Sequence, residues 1–295
     1  MTTRTSLDDL QNLEKQHDSF VGIDSDGCVF DSMAVKQKLC FHGLIASHWN
    51  LQAIEPTVRQ SAEFVNLYSK WRGQNRFIAL LQSFDFLREH PDAVASGLEI
   101  PELPSLRKRV ESGNLSNAIL EEEAKSTQDV ELLSVLEWSL AVNEEIEAKA
   151  RDIPPFPWAL KSLQRVHQDS DVICVSQTPT EALIREWNDN NIAGYVQMIA
   201  GQELGTKTEH LQIAAEGKYS PERILMIGDA DGDCKAADAV EASFYPINPG
   251  HENESWRRFH DEAYDRFQEG TFVGDYQQQV KDEFYALLPE TPPWV

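Results

Sequence analysis

Val21-Gly22-Ile23-Asp24-Ser25-Asp26-Gly27-Cys28-Val29-Phe30-Asp31-Ser32 decides the reading of this chain, because an apolar strand runs directly into two carboxylates and a glycine turn. Residues i and i+2 of an extended chain share a side, so Asp24 and Asp26 start out facing one cleft. Two like charges that close repel, and a proton or a metal ion must relieve one of them. A second stretch of the same design, Ile224-Leu225-Met226-Ile227-Gly228-Asp229-Ala230-Asp231-Gly232-Asp233, lies about two hundred residues downstream. Two strands of one parallel sheet deliver both acidic clusters to the same edge, where open α/β sheets bind their ligands. Carboxylate oxygens without His or Cys among them favour Mg²⁺ over zinc.

Around these two strands the chain changes character twice. From Met33 to Asp152 helical periodicity dominates, in Met33 to Trp49, Thr57 to Trp71 with Thr57 as N-cap, Asn75 to His90, Ser116 to Ala124 and Val130 to Ala150. Three prolines make Pro91 to Arg107 read as a loop. The proline cluster at 154, 155 and 157 ends the helical block, and alternating helices and short apolar strands follow as far as Ile247. Such alternation predicts an α/β fold, a Rossmann-like parallel sheet core carrying a large all-α insertion. The expected domains are a discontinuous core of residues 1–32 and 153–295 and a helical domain of 33–152. Two closing helices, Ser255 to Gln268 and Asp275 to Leu288, are expected to pack on the core.

Composition narrows the partners. With 49 acidic against 26 basic residues the formal net charge is -23, which repels nucleic acid and anionic membranes. No apolar run approaches a membrane span and the first residues lack the pattern of a signal peptide. Cys28, Cys40, Cys174 and Cys234 show no CxxC spacing, so reduced thiols and a cytoplasmic address are expected. Oxidation of Cys28 and Cys234, which lie beside the acidic clusters, is conceivable from their positions, but two small filler residues explain them better. The expected assembly is a monomer or homodimer.

Two further residues complete a pattern: Ser176 at the end of the strand Val172 to Val175, and Lys207 at a helix start. The DxDGxxxDS stretch at Asp24 to Ser32, the strand-end Ser176, Lys207 and the GDxxxD stretch at Gly228 to Asp233 occur in the order that resembles the haloacid dehalogenase superfamily. The helical insertion after the first motif resembles the cap of its phosphoglycolate phosphatase-like and phosphomutase-like members. That resemblance implies Asp24 as nucleophile, Asp26 as general acid and base, and Ser176 and Lys207 as ligands of the phosphoryl oxygens. It implies Mg²⁺ held by Asp24, the Asp26 backbone carbonyl, Asp229 and Asp233. Dehalogenase members lack the second carboxylate, so Asp26 favours phosphoryl transfer and a small phosphorylated metabolite as substrate. A phosphomutase, or a silent metabolite-binding relative, is the alternative reading. Within the insertion, Lys70 to Arg76 offers Arg72, Asn75 and Arg76 as candidate substrate contacts in an otherwise acidic chain. Asp231 reads as a turn residue, and Asp31 and Ser32 as the start of the next helix.

Overall fold

The computed structural model describes residues 6–113 and 115–295, and the chain divides into two compact units. The first contains the residues up to Met33 and Asp152–Leu287; the second contains Ala34–Arg151 and Leu288–Val295. Among the described residues no helix is long and apolar enough to cross a membrane.

The first unit is built on five parallel strands: β1 (Phe20–Ile23), β2 (Asp171–Val175), β3 (Met198–Ala200), β4 (Ile224–Gly228) and β5 (Ser243–Pro246), in the order β3-β2-β1-β4-β5. Every strand residue is buried, which is why the strands read as largely apolar runs instead of alternating ones. The chain builds outward from β1 through β2 to β3, then returns to the other side of β1 with β4. Order therefore reverses between β1 and β4, and the crevice beyond the ends of these two strands is where such sheets place ligands. Ile23 is level with Ile227 in that pair, so Asp24 and Asp229 leave the sheet almost side by side.

The second unit is all helical. Its core includes Phe41, Phe77, Phe84, Leu106, Leu120, Val135 and Trp138. The segment expected as a loop, Pro91 to Arg107, instead contributes the helix Pro91–Ser96 and the start of the helix Pro104–Glu111. Proline stands first in both, the one helical position where its missing N–H costs nothing. Thr57 is not an N-cap: the helix Glu55–Leu67 begins two residues earlier, with Pro56 in its first turn. The path from Ser32 to His48 is helical but passes through a π-turn at Gln37–Phe41.

The end of the chain departs from the expected domain boundary. The helices Glu252–Arg258, Tyr264–Glu269 and Asp275–Ala286 belong to the sheet unit, whereas the last eight residues belong to the helical one. Trp294 is the reason: its indole N–H donates to the Phe86 carbonyl at 3.0 Å and its ring packs on Phe64 and His90. The Trp71 indole N–H adds a bond to the Glu290 carbonyl, and Lys70 pairs with the Glu290 carboxylate.

Candidate active site

The loop after β1 is held by the sheet and by two tryptophans. The Asp24 amide donates to the Ile227 carbonyl at 2.9 Å, which extends the β1–β4 ladder one residue into the loop. Beyond it the amides of Cys28, Val29 and Phe30 all converge on the Ser25 carbonyl. The Trp256 indole donates to the Cys28 carbonyl at 2.7 Å and the Trp187 indole to Ser25 Oγ at 2.9 Å. Both indoles are fully buried, so this turn is set by donors that have no alternative partner in water.

Asp24, Asp229 and Asp233 come together, each offering a carboxylate oxygen within 4.8 Å of the others, and all three are buried. Asp24 Oδ1 accepts the Ser25 amide at 2.8 Å. Lys207 opens the helix Lys207–Ala215, which is started by a capping box between Thr206 and Glu209. Its Nζ lies 2.8 Å from Asp24 Oδ2 and 2.6 Å from Asp233 Oδ1. Burial opposes the Lys207 charge, but Asp233 and Asp24 together outweigh it and raise its pKa above the usual lysine value. Burial pushes Asp233 up, Lys207 pulls it down, and Asp24 pushes it up again, for a net rise. One ammonium thus serves two of the three crowded carboxylates.

Gly228 is required by this crowding: a Cβ there would lie 2.2 Å from Asp233 Cγ. The GDxxxD spacing follows, since the helix Asp231–Ala239 returns Asp233 over the strand end and its carboxylate accepts the Ala230 amide at 3.1 Å. Asp231 points elsewhere, bonded to Tyr285 and paired with Lys235.

Asp26 is differently placed. Its carboxyl is not in the three-aspartate cluster; Oδ2 accepts from Thr178 Oγ1 at 2.6 Å and Oδ1 from Ser32 Oγ. Ser176, 2% exposed at the end of β2, extends the pairing with β3 through its amide and accepts the Thr178 amide at its Oγ. The hydroxyls of Thr178 and Ser32 are site features that the sequence reading missed. Thr178 sits in a loop with no pattern of its own, and Ser32, the last residue of the DxDGxxxDS stretch, reads as a helix start.

All three candidates in the helical unit make hydrogen bonds within it. Arg72 is buried and donates to the Leu67 carbonyl. Asn75 caps the helix Arg76–Glu89 and donates to the Leu115 carbonyl. Arg76 Nη1 is fixed by the carbonyl and hydroxyl of Ser139 and by Asn143 Oδ1, and its guanidinium lies over the Phe41 ring at 5.2 Å. Burial lowers its pKa to about 10, and no carboxylate pairs with it among the described residues. The four thiols are all buried, and burial raises Cys28, Cys174 and Cys234, which disfavours the thiolate.

No family profile and no curated protein matches the sequence. Solved structures do match by fold. A putative haloacid dehalogenase-like hydrolase from Bacteroides fragilis is 15% identical, with 80% of this chain and 92% of that one covered at a TM-score of 0.50. A putative beta-phosphoglucomutase from Bacteroides vulgatus is 15% identical over 88% and 92% of the two chains, at 0.49. A putative hydrolase of the same superfamily from Bacillus subtilis, solved bound to magnesium, is 14% identical over 79% and 88%, at 0.44. At such identities the likeness is one of fold, carried by the first of the three. The chain has the haloacid dehalogenase-like fold, a parallel α/β core with a helical insertion after the first strand.

Proposed function

We propose that the protein is a phosphomonoester hydrolase of the haloacid dehalogenase superfamily, acting on a small phosphorylated metabolite through a phosphorylated Asp24. The observation that carries this reading is the separation of the two loop carboxylates into unlike surroundings. Asp24 lies in a buried cluster with Asp229, Asp233 and Lys207, while the Asp26 carboxyl lies outside that cluster and accepts from the hydroxyls of Thr178 and Ser32. Two carboxylates in unlike environments divide into nucleophile and proton-transfer group.

The three aspartates fit a hard divalent cation: they are all-oxygen, buried and close together. Asp24, Asp229 and Asp233 would hold Mg²⁺, with the Asp26 backbone carbonyl as a fourth donor; when bound, the ion supplies neutralisation of phosphoryl charge. The remaining steps belong to the chain. An Asp24 carboxylate oxygen attacks phosphorus as the ester P–O bond breaks, and Asp26 gives its proton to the leaving oxygen. Water then attacks the same phosphorus, its proton passes to Asp26, and the P–O bond to Asp24 breaks to restore the carboxylate. Lys207 and the Ser176 hydroxyl are assigned to the phosphoryl oxygens, where charge shifts during transfer. Arg72, Asn75 and Arg76 are the candidates in the helical unit for an anionic group of the substrate.

The test is inorganic phosphate release from a broad panel of phosphomonoesters, with Mg²⁺ and with a chelator. Selective release that needs Mg²⁺ supports the reading and identifies the substrate class. No release from any compound by folded, Mg²⁺-binding protein would contradict it, and turnover only with an added bisphosphate would indicate a mutase.

A further inference from the structure

We propose that Thr178 is a positioning residue, which fixes the direction in which the Asp26 carboxyl group faces; its catalytic consequence rests on the assignment of Asp26 as the proton-transfer group. An aspartate χ2 is a broad, soft torsion, so a carboxyl group with one anchored oxygen can turn about its own axis. With both oxygens held it cannot, and here Thr178 Oγ1 takes Oδ2 at 2.6 Å while Ser32 takes Oδ1. A hydroxyl suits this task because it can donate to a carboxylate or accept from a carboxylic acid without moving its oxygen.

The position of the Thr178 hydroxyl is itself fixed by a well-tied loop. Its amide donates to Ser176 Oγ at 3.2 Å, and its carbonyl accepts the Gln202 amide at 3.1 Å. Two residues on, the amide and hydroxyl of Thr180 both donate to Glu203 Oε2, at 2.9 and 2.6 Å. The Gln177 amide group reaches the Gly205 carbonyl at 3.0 Å. These contacts press the loop after β2 against the one after β3 so closely that a Cβ on Gly201 would lie 2.7 Å from the Thr178 carbonyl oxygen. A donor mounted on two mutually bonded loops holds its acceptor more sharply than one on a free loop. Thr178 is 152 residues from Asp26, so no local motif announces the pairing.

The experiment pairs structure with kinetics. Crystal structures of the wild type, Thr178→Val, Thr178→Ala and Thr178→Ser are compared at Asp26, with kcat and KM measured on a phosphomonoester that the wild type hydrolyses. The Asp26 carboxyl should keep one orientation in the wild type and in Thr178→Ser, and turn or split in Thr178→Val and Thr178→Ala. In those two, kcat should fall about 10–100-fold with KM within about threefold, and Thr178→Ser should stay within about threefold of wild type. An unmoved Asp26 in Thr178→Val would overturn the proposal, as would an Asp26 that turns without loss of kcat or a Thr178→Ser as impaired as Thr178→Val. If the wild type hydrolyses no phosphomonoester, the proposed function fails on that result alone, and the four structures still decide whether Thr178 orients Asp26.

Discussion

Strand β2 has a buried acid at its start, and the strand beside it leads into another, and the two ends of the sheet treat these charges in opposite ways. At the amino end, Asp171 is 1% exposed and accepts from the amides of Gln16 and His17, the Tyr219 hydroxyl and the Gln197 side chain, at 2.6 to 2.9 Å. Four neutral donors spread one charge, and nothing further is needed to keep it buried. At the carboxyl end, Asp24, Asp229 and Asp233 crowd together, and Lys207 reaches Asp24 and Asp233. A buried charge enclosed by neutral donors ties segments together, whereas crowded buried carboxylates invite a cation.

The largest effect that would separate the two ends is on turnover. Asp24→Asn should lower phosphate release by at least about 10³-fold while the thermal midpoint stays near that of the wild type, because the change also removes one of the crowded charges. Asp171→Ala should do the reverse. Leaving four donors, among them the buried Tyr219 hydroxyl, without their acceptor should cost about 3 kcal/mol in a denaturant titration, with kcat of the folded protein near wild type. A fall in kcat as large as that of Asp24→Asn would break the comparison.

Mg²⁺ sharpens it further. An ion that binds only the folded chain raises stability by about 2.7 kcal/mol at a hundred times its Kd. The gain should persist in Asp171→Ala and disappear in Asp229→Asn, as read by thermal unfolding with Mg²⁺ against chelator. An equal gain in Asp229→Asn would place the ion elsewhere.

The smallest effect is on pH. Burial, then the charge of Lys207, lowers His210 to about 4 from its ordinary 6.5. The folded chain therefore binds less proton than the unfolded chain between these values, so stability present above pH 6.5 is lost as pH falls toward 4. His42 in the helical unit, lowered to about 3 mainly by burial, acts in the same sense. His210→Asn should flatten the loss between pH 7 and 5.5 by about 1 kcal/mol. An unchanged slope would mean that His210 titrates alike in the folded and unfolded chains.

The legible parts of this molecule are those where one strand end and its own turn do the work. Asp24, Asp26, Asp229 and Asp233 could be placed at the carboxyl edge because an apolar run before each acidic cluster marks a buried parallel strand, and Lys207 because a helix start follows one. The missed parts depend on partners distant in sequence. Nothing near Trp187 or Trp256 signals that their indoles brace residues 25 and 28, and nothing near Thr178 points to Asp26. Asp171 falls just before the apolar run of β2, where an acid normally reads as a solvated strand start. Pro91 and Pro104 misled for a local reason: proline ends a helix and begins one equally well, and only the helices that follow decide. The tail turned on Trp294, whose docking on Phe64 and Phe86 has no periodicity to reveal it.

The most direct test of the account is to quench the enzyme during turnover of a phosphomonoester with Mg²⁺, reduce it with borohydride and map the peptides by mass spectrometry. An acyl phosphate on a carboxylate is reduced to an alcohol, so the account predicts homoserine at position 24 and unmodified aspartate at 26, 171, 229 and 233. Phosphate release with Asp24 unreduced, or reduction at another of these aspartates, would contradict it.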